Sequence, residues 1–515
     1  MAFMTARIPD GVRHVRRQPM LNRTGLDGEL SVRGFASGSD RLPDAHGQSV
    51  AGWHSLGELL NECRQITLFE KVRIRSVNAS SLWPEASAGC RWSDACGSSI
   101  DRATLYPPKF EVLAMTAIRW ATIGLLGIAF WPLKITPAVE FKKIRLTDTF
   151  YAEAAGLGDM DRDGHGDAIY GPHWYAGPDF ARQHQIYPPE KFLPQNYSQN
   201  FATFVHDMNG DQWLDVIVNV WPGKEVFWFQ NPGDAGGAWQ RHLAYPTVDN
   251  ESPHLVDITG DGKKELIFHT GGVLGFAGPT DPTGVERWLF HPCSDNGNWR
   301  QYQHGLGVGD LNGDGRPDLL MAEGWWEQPA ALAATPWQKH PFTFAQEGAQ
   351  MHVYDVDGDG DGDVITSLAA HGYGLSWFEQ IKKDGAIDFI EHAILPAVAE
   401  KQLNGVQFSQ PHALEVVDVN GDGLKDIVTG KRYWAHGPTG DVDATGPAVL
   451  YWFELARGPA AAGTTAVHYS PHLIDSDSGI GTQFVTGDLN GDGQLDIVTG
   501  NKKGGFVFLG VPQAL

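Results

Sequence analysis

Residues 310–322 read DLNGDGRPDLLMA, nine residues of alternating acidic and amide side chains that run into an apolar stretch. The pattern recurs at 159–171 (DMDRDGHGDAIYG), 207–219 (DMNGDQWLDVIVN), 257–269 (DITGDGKKELIFH), 355–367 (DVDGDGDGDVITS), 418–430 (DVNGDGLKDIVTG) and 488–500 (DLNGDGQLDIVTG). Successive copies begin 48, 50, 53, 45, 63 and 70 residues apart, the length of a four-stranded blade.

Each acidic run lies between two short apolar stretches, such as Leu255-Val256 before and Leu266-Ile-Phe268 after, so it joins the strands of a hairpin. An aromatic strand follows (Val226-Phe-Trp-Phe229, Leu375-Ser-Trp-Phe378, Leu450-Tyr-Trp-Phe453), then a fourth strand of the form Trp239-Gln-Arg-His242 or Trp337-Gln-Lys-His340. The last unit stops after its third strand, Gly505–Leu509, while an orphan strand, Phe141–Leu146, precedes the first acidic run. The expected fold is therefore all-β: a seven-bladed β-propeller over residues 139–515, with one acidic loop per blade. Its ring is closed by the N-terminal strand, leaving no open sheet edge.

The formal charge of −23 excludes nucleic acid as a partner, because no basic surface is left to neutralise phosphates. From Val139 onward there are 50 acidic and 23 basic residues, and 24 of the acids sit in the seven runs. Cys63, Cys90 and Cys96 precede the repeats and Cys293 stands alone within them, so no disulfide framework forms there.

Residues 115–138 hold a methionine, one arginine and a run of 12 uncharged residues from Trp120 to Trp131. This run is too short to span a bilayer and suits a signal-peptide core. Thr136-Pro-Ala138 offers a cleavage site, with an uncleaved N-terminal anchor as the alternative. A signal works only at a chain start, so Met115 is read as the initiator. Residues 1–114, with 12 Arg against 2 Lys and no sustained apolar period, are read as translated upstream sequence, or else as a disordered leader. A secreted, periplasmic or cell-envelope location follows, with no membrane span beyond that anchor.

Side-chain oxygens at loop positions one, three, five and nine, with a carbonyl at seven, wrap a hard cation that takes roughly six to eight oxygens. Glycine at position six permits the sharp turn. The ligand sets are Asp159, Asp161, Asp163 and Asp167; Asp310, Asn312, Asp314 and Asp318; Asp355, Asp357, Asp359 and Asp363; Asp418, Asn420, Asp422 and Asp426; and Asp488, Asn490, Asp492 and Asp496. Two loops depart from the pattern. Asp207, Asn209, Asp211 and Asp215 have Gln212 in place of the glycine, and Asp257, Asp261 and Glu265 have Thr259 at position three. About five to seven structural Ca2+ ions are expected, the competing reading being metal-free turns in which Asp and Asn cap backbone amides.

These loops resemble the FG-GAP/VCBS repeats of integrin α-subunit propellers and of exported bacterial proteins, from about Phe141 to Leu509. Gly324–Gln328, His371–Trp377 and Gly430–Pro438 resemble a bacterial group of the same kind. The resemblance implies a propeller and brings no activity with it.

Because the acidic loops join first and second strands, the connections between second and third strands and between blades converge on the opposite face. The funnel residues expected there are His173, Trp174, Trp325, Trp326, Arg432, His436 and Lys502, with His254, His304, His352, His412, His371, Lys431 and Glu327 as candidate catalytic groups. Such a funnel suits a sugar, and its histidines suit a transition metal; the competing reading is that these residues hydrogen-bond between blades and plug the channel. Two functions stay open. One is a non-catalytic binding or scaffold module for carbohydrate or another exported protein. The other is a metal-dependent carbohydrate lyase or dehydratase, since the fungal aldos-2-ulose dehydratases resemble this chain in having a propeller with such loops. No nucleophile elbow, phosphate loop, H-E-x-x-H or dinucleotide fingerprint occurs.

Overall fold

The computed structural model describes residues 139–345, 348–400, 402, 405–459 and 465–511. The expectations for residues 1–114 and 115–138 lie outside this range. Five free-standing four-stranded sheets and one eight-stranded sheet make up a β-propeller-like arrangement. Among the described residues no helix is long and apolar enough to cross a membrane.

In a representative unit, Ala202–His206 pairs with Asp215–Asn219, then Lys224–Gln230, then Gln240–Val248, each antiparallel to the last. Second strands such as Asp215–Asn219, Asp363–Ser367 and Asp426–Gly430 are buried at every position, whereas the outer strand Arg182–Gln185 is exposed at every position. That gradient explains why second strands read as unbroken apolar runs: both of their faces are covered by neighbouring sheets.

Leu306–Gly309 and Gln350–Tyr354 pair in parallel and fuse two units into the eight-stranded sheet. Two glycines permit this approach. A Cβ on Gly307 would lie 2.5 Å from the Met351 carbonyl oxygen, and one on Gly309 would lie 2.5 Å from Val353 Cβ.

The core lies between successive sheets. Ile169 and Trp174 pack with Val216 and Phe229, Trp228 with Leu266 and Phe268, and Ile365 and Trp377 with Ile427 and Phe453. Tyr170 and Tyr175 pack with Val498 and Val507, joining the first sheet to the last. Glu140–Thr147 pairs antiparallel with Gly504–Val511.

Outer-strand histidines stack on third-strand aromatics: His184 on Trp174, His242 on Trp228, His340 on Trp325, His392 on Trp377 and His472 on Trp452. This corrects part of the expected funnel. His173, Trp174, Trp325, Trp326 and Glu327 belong to the third strands His173–Ala176 and Gly324–Glu327, and Trp325 is only 2% exposed. The preceding turns, Gly171-Pro172 and Ala322-Glu323, are two residues long, so the aromatic strands begin sooner than the sequence suggested. Glu327 binds His340 of the outer strand at 2.9 Å.

Candidate functional site

Innermost strands run toward their acidic loops, so the residue six positions before each loop lies at the opposite end. In chain order these residues are Glu153, Phe201, Glu251, His304, Ala349, His412 and Thr482. The ends of the second strands lie at the same end of each hairpin, and just past them come His371, Arg432 and Lys502. Hairpin geometry alone thus gathers charged and imidazole groups from distant parts of the chain.

Four of them form one cluster. Glu251 Oε2 is 2.9 Å from His412 Nε2 and 3.3 Å from His304 Nε2. His304 Nε2 is 3.2 Å from His412 Nε2 and 3.1 Å from His371 Nε2. The three rings stand edge to face, with centroids 4.8–5.0 Å apart. Arg432 is buried between two carboxylates, donating to Glu153 Oε2 at 3.0 Å and Glu251 Oε2 at 3.3 Å, and Lys502 Nζ lies 3.5 Å from Glu153 Oε1.

The protons of this cluster do not balance. A guanidinium only donates, so the Arg432 Nη1 at 2.7 Å requires the lone pair of His412 Nε2. That nitrogen then has no proton for Glu251. A proton on His304 Nε2 serves only one of its three neighbours, which leaves lone pairs facing lone pairs. A cation resolves the conflict by turning all four atoms into ligands, provided Arg432 Nη1 gives up His412 and keeps Glu251 Oε2, 3.3 Å away. Metal–nitrogen bonds of roughly 2.0–2.1 Å imply ligand edges of about 3.3 Å in a tetrahedron, close to the separations here. Burial and the Arg432 charge hold His412 well below its usual range, as a ligand must be. Burial opposes the Glu251 charge, but His304, His412 and Arg432 hold its carboxyl well below the usual range.

A second layer supports the first. Asp441 faces His371 Nδ1 at 3.6 Å and accepts from the His436 backbone N–H at 2.7 Å, with its other oxygen 2.6 Å from His436 Nδ1. Lys431 is fully buried but turned away, toward Ser409 and an Asp443 carboxylate 3.3 Å off. His254 and His352 sit three residues before their loops, where they bond the carbonyls of Leu306 and Leu414 at 3.0 Å, apart from the cluster. The structure therefore brings His304, His371, His412, Arg432 and Lys502 together. His436 touches the group through Asp441 and directly, its ring centroid 4.7 Å from that of His371.

Sequence reasoning missed Glu153, Glu251 and Asp441. The first two share their register with His304 and His412, each six residues before a loop, and that register was the available signal.

The acidic loops take a common form. The position-one carboxylate gathers loop amides, with Asp310 accepting from Gly313 at 2.8 Å, Asp314 at 3.1 Å and Gly315 at 2.7 Å. Position nine turns inward. Asp318 accepts from Leu311 N at 3.0 Å and from Gln328 N, at the end of the third strand, at 2.8 Å. Asp167, Asp215, Asp363, Asp426 and Asp496 repeat this pair of bonds. In the third loop Glu265 accepts from Ile258 N at 3.2 Å. Burial pushes the Asp318 carboxyl up to about 7. In the second loop Gln212 adopts the left-handed φ of 74° that glycine takes elsewhere. Carboxylate oxygens of Asp159, Asp161 and Asp167, and of Asp355, Asp357 and Asp359, lie within 4.8 Å of one another, close enough to share a cation.

Two family models match the chain, an FG-GAP-like repeat over residues 207–268 and an FG-GAP repeat over residues 480–510. No curated protein matches. Among solved structures, the chain is similar to an Agrocybe aegerita lectin that recognises non-reducing terminal N-acetylglucosamine (18% identity, 66% of this chain and 82% of that one, TM-score 0.38). It is also similar to the rhamnogalacturonan lyase YesW (13% identity, 72% and 75%, TM-score 0.36). The chain thus carries FG-GAP repeats at residues 207–268 and 480–510, set on propeller-like sheets.

Proposed function

We propose that this protein is an exported seven-bladed propeller that carries calcium in its acidic loops and acts on carbohydrate at a transition-metal ion held by Glu251, His304, His371 and His412. In this reading the eight-stranded sheet counts as two blades and Glu140–Thr147 completes the last. The observation that carries it is the meeting of three imidazole nitrogens and a carboxylate oxygen whose protons cannot otherwise be assigned.

The ion supplies Lewis acidity toward a hydroxyl or carbonyl oxygen. The chain's own residues do the rest. Arg432 and Lys502 offset the charges of Glu251 and Glu153. The half-buried aromatics Tyr197, Trp221 and Tyr302 lie beside one another and offer faces for sugar rings, with the Lys502 ammonium 5.2 Å over Tyr197. Proton abstraction beside a sugar carbonyl is the chemistry that suits such a centre.

The test is elemental analysis of the full chain after loading with zinc, manganese, iron or cobalt in calcium buffer, followed by dialysis. We expect about one transition-metal ion per chain, with tight retention lost in His304→Ala and His412→Ala. Calcium alone would overturn the metal centre and leave a binding module. A bound ion with no turnover of any keto-sugar would remove the lyase or dehydratase activity and keep the site.

A further inference from the structure

A cleft of about 550 Å³ opens beside the cluster, and His304 forms part of its wall. The rest comes mainly from the connection that leads into the innermost strand Leu306–Gly309, including Trp299, Arg300, Tyr302 and Gln303, with Glu323 opposite. We propose that this cleft is the substrate site and selects an acidic sugar or related hydroxy acid, with Arg300 taking the carboxylate and the polyol end directed toward the ion at His304. The proposal rests on the metal-centre reading for that last contact and for part of the charge that favours an anion.

The wall shares its backbone bonds with the cluster. Gln303 N donates to Arg300 O at 3.1 Å, Tyr302 N to Asp249 O at 2.8 Å, and Glu251 N to Gln303 O at 3.2 Å. The strand of chain carrying Arg300 and His304 is thus tied to the strand carrying Glu251. Gln301 is tethered to the Pro222 carbonyl of the neighbouring unit. A site built this way holds a ligand at a set distance from the ion.

The lining fits a polyol. Trp299 and Tyr302 offer ring faces, and Gln303 and Glu323 offer hydroxyl partners. Glu323 is already held by the indole N–H of Trp299, which fixes that ring. Charge then favours an anion. Arg300 is exposed and has no ion-pair partner among the described residues. Glu323 offsets the Arg300 charge in the wall, and deeper in, Glu153 and Glu251 are balanced by Arg432 and Lys502, so a divalent ion leaves surplus positive charge, of which Asp441 offsets half. The acidic loops that give the chain its negative charge lie at the far ends of the innermost strands, so the field steers an anion to this end.

The experiment is calorimetric titration of the zinc-loaded full chain with D-glucuronate and with D-glucose, measuring metal content on the same samples. Glucuronate should bind at least tenfold more tightly than glucose. Arg300→Gln should erase the preference without changing the metal content, and Arg300→Lys should keep part of it. Equal binding of the two sugars, binding of neither, or a preference unmoved by Arg300→Gln would overturn the cleft assignment. A preference that persists with the same Arg300 dependence in protein that takes up no zinc would uphold the cleft and sink the metal centre instead.

Discussion

His371 reaches the cluster through Nε2 while its buried Nδ1 faces a single carboxylate, that of Asp441, 3.6 Å away. A carboxylate behind a ligating imidazole keeps the proton on the outer nitrogen and the lone pair on the inner one. Asp441 is itself fixed by His436, whose side chain is half exposed. Asp441→Asn should therefore weaken transition-metal affinity by roughly 10- to 100-fold, read by chelator competition, with the cobalt spectrum altered and the thermal unfolding of the metal-free protein unchanged. Glu415 makes a second residue-scale case. It sits in the innermost strand Leu414–Val417, and burial pushes its carboxyl up from 4.5 to about 8. The unfolded chain loses this proton near pH 4.5 and the folded one near 8, so ionisation works against the fold. Stability should fall as pH rises between those values and then level off. Glu415→Gln should remove the decline and make the protein more stable at pH 9 by up to about 5 kcal/mol, measured by chemical unfolding across pH.

At the scale of the hairpin, two acids four residues apart do different work. Asp426 is fully buried and accepts from Val419 N at 3.0 Å and from Leu455 N at 2.8 Å, stapling the loop to the third strand. Asp422 lies on the exposed loop and accepts from Leu424 N at 2.8 Å. Asp426→Ala leaves two buried amides without partners and should cost about 2–4 kcal/mol even without calcium. Asp422→Asn keeps an acceptor and should reduce only the stabilisation that added calcium confers, as unfolding with and without the ion would show. The same hairpins mark what the sequence makes legible. Acidic loops and second strands stand out because the loop pattern repeats and both strand faces are buried. Trp325 and Trp326 misled because a two-residue turn leaves no signature distinct from a funnel loop. The ligands of the cluster come from four separate hairpins, so no local spacing announces them, and Glu251 emerges only when the register of all the innermost strands is compared.

Across the whole molecule, the first and last sheets supply the charges that flank the cluster. Glu153 belongs to the first hairpin and Lys502 to the last, and both converge on Arg432 from a third. The junction between them is bonded directly, with Thr482 N donating to Glu153 O at 2.7 Å and Gly166 N to Leu489 O at 2.6 Å. Glu140–Thr147 covers the outer edge of the last sheet and ties it sideways through Lys143 to Asp475 at 2.8 Å. A chain beginning at Asp148 would expose the strand Gly504–Val511, GGFVFLGV, an apolar edge that invites pairing with another copy. We expect such a chain to melt about 10 °C lower, to run as oligomers on size exclusion, and to hold transition metal poorly because Glu153 and Lys502 no longer meet. A synthetic peptide covering Val139–Asp148 should restore all three properties by strand addition. If the truncated chain stays monomeric and keeps its metal affinity, the outer strand is only a cover, and the junction between first and last sheets is set by the buried packing of Tyr170 and Tyr175 against Val498 and Val507 alone.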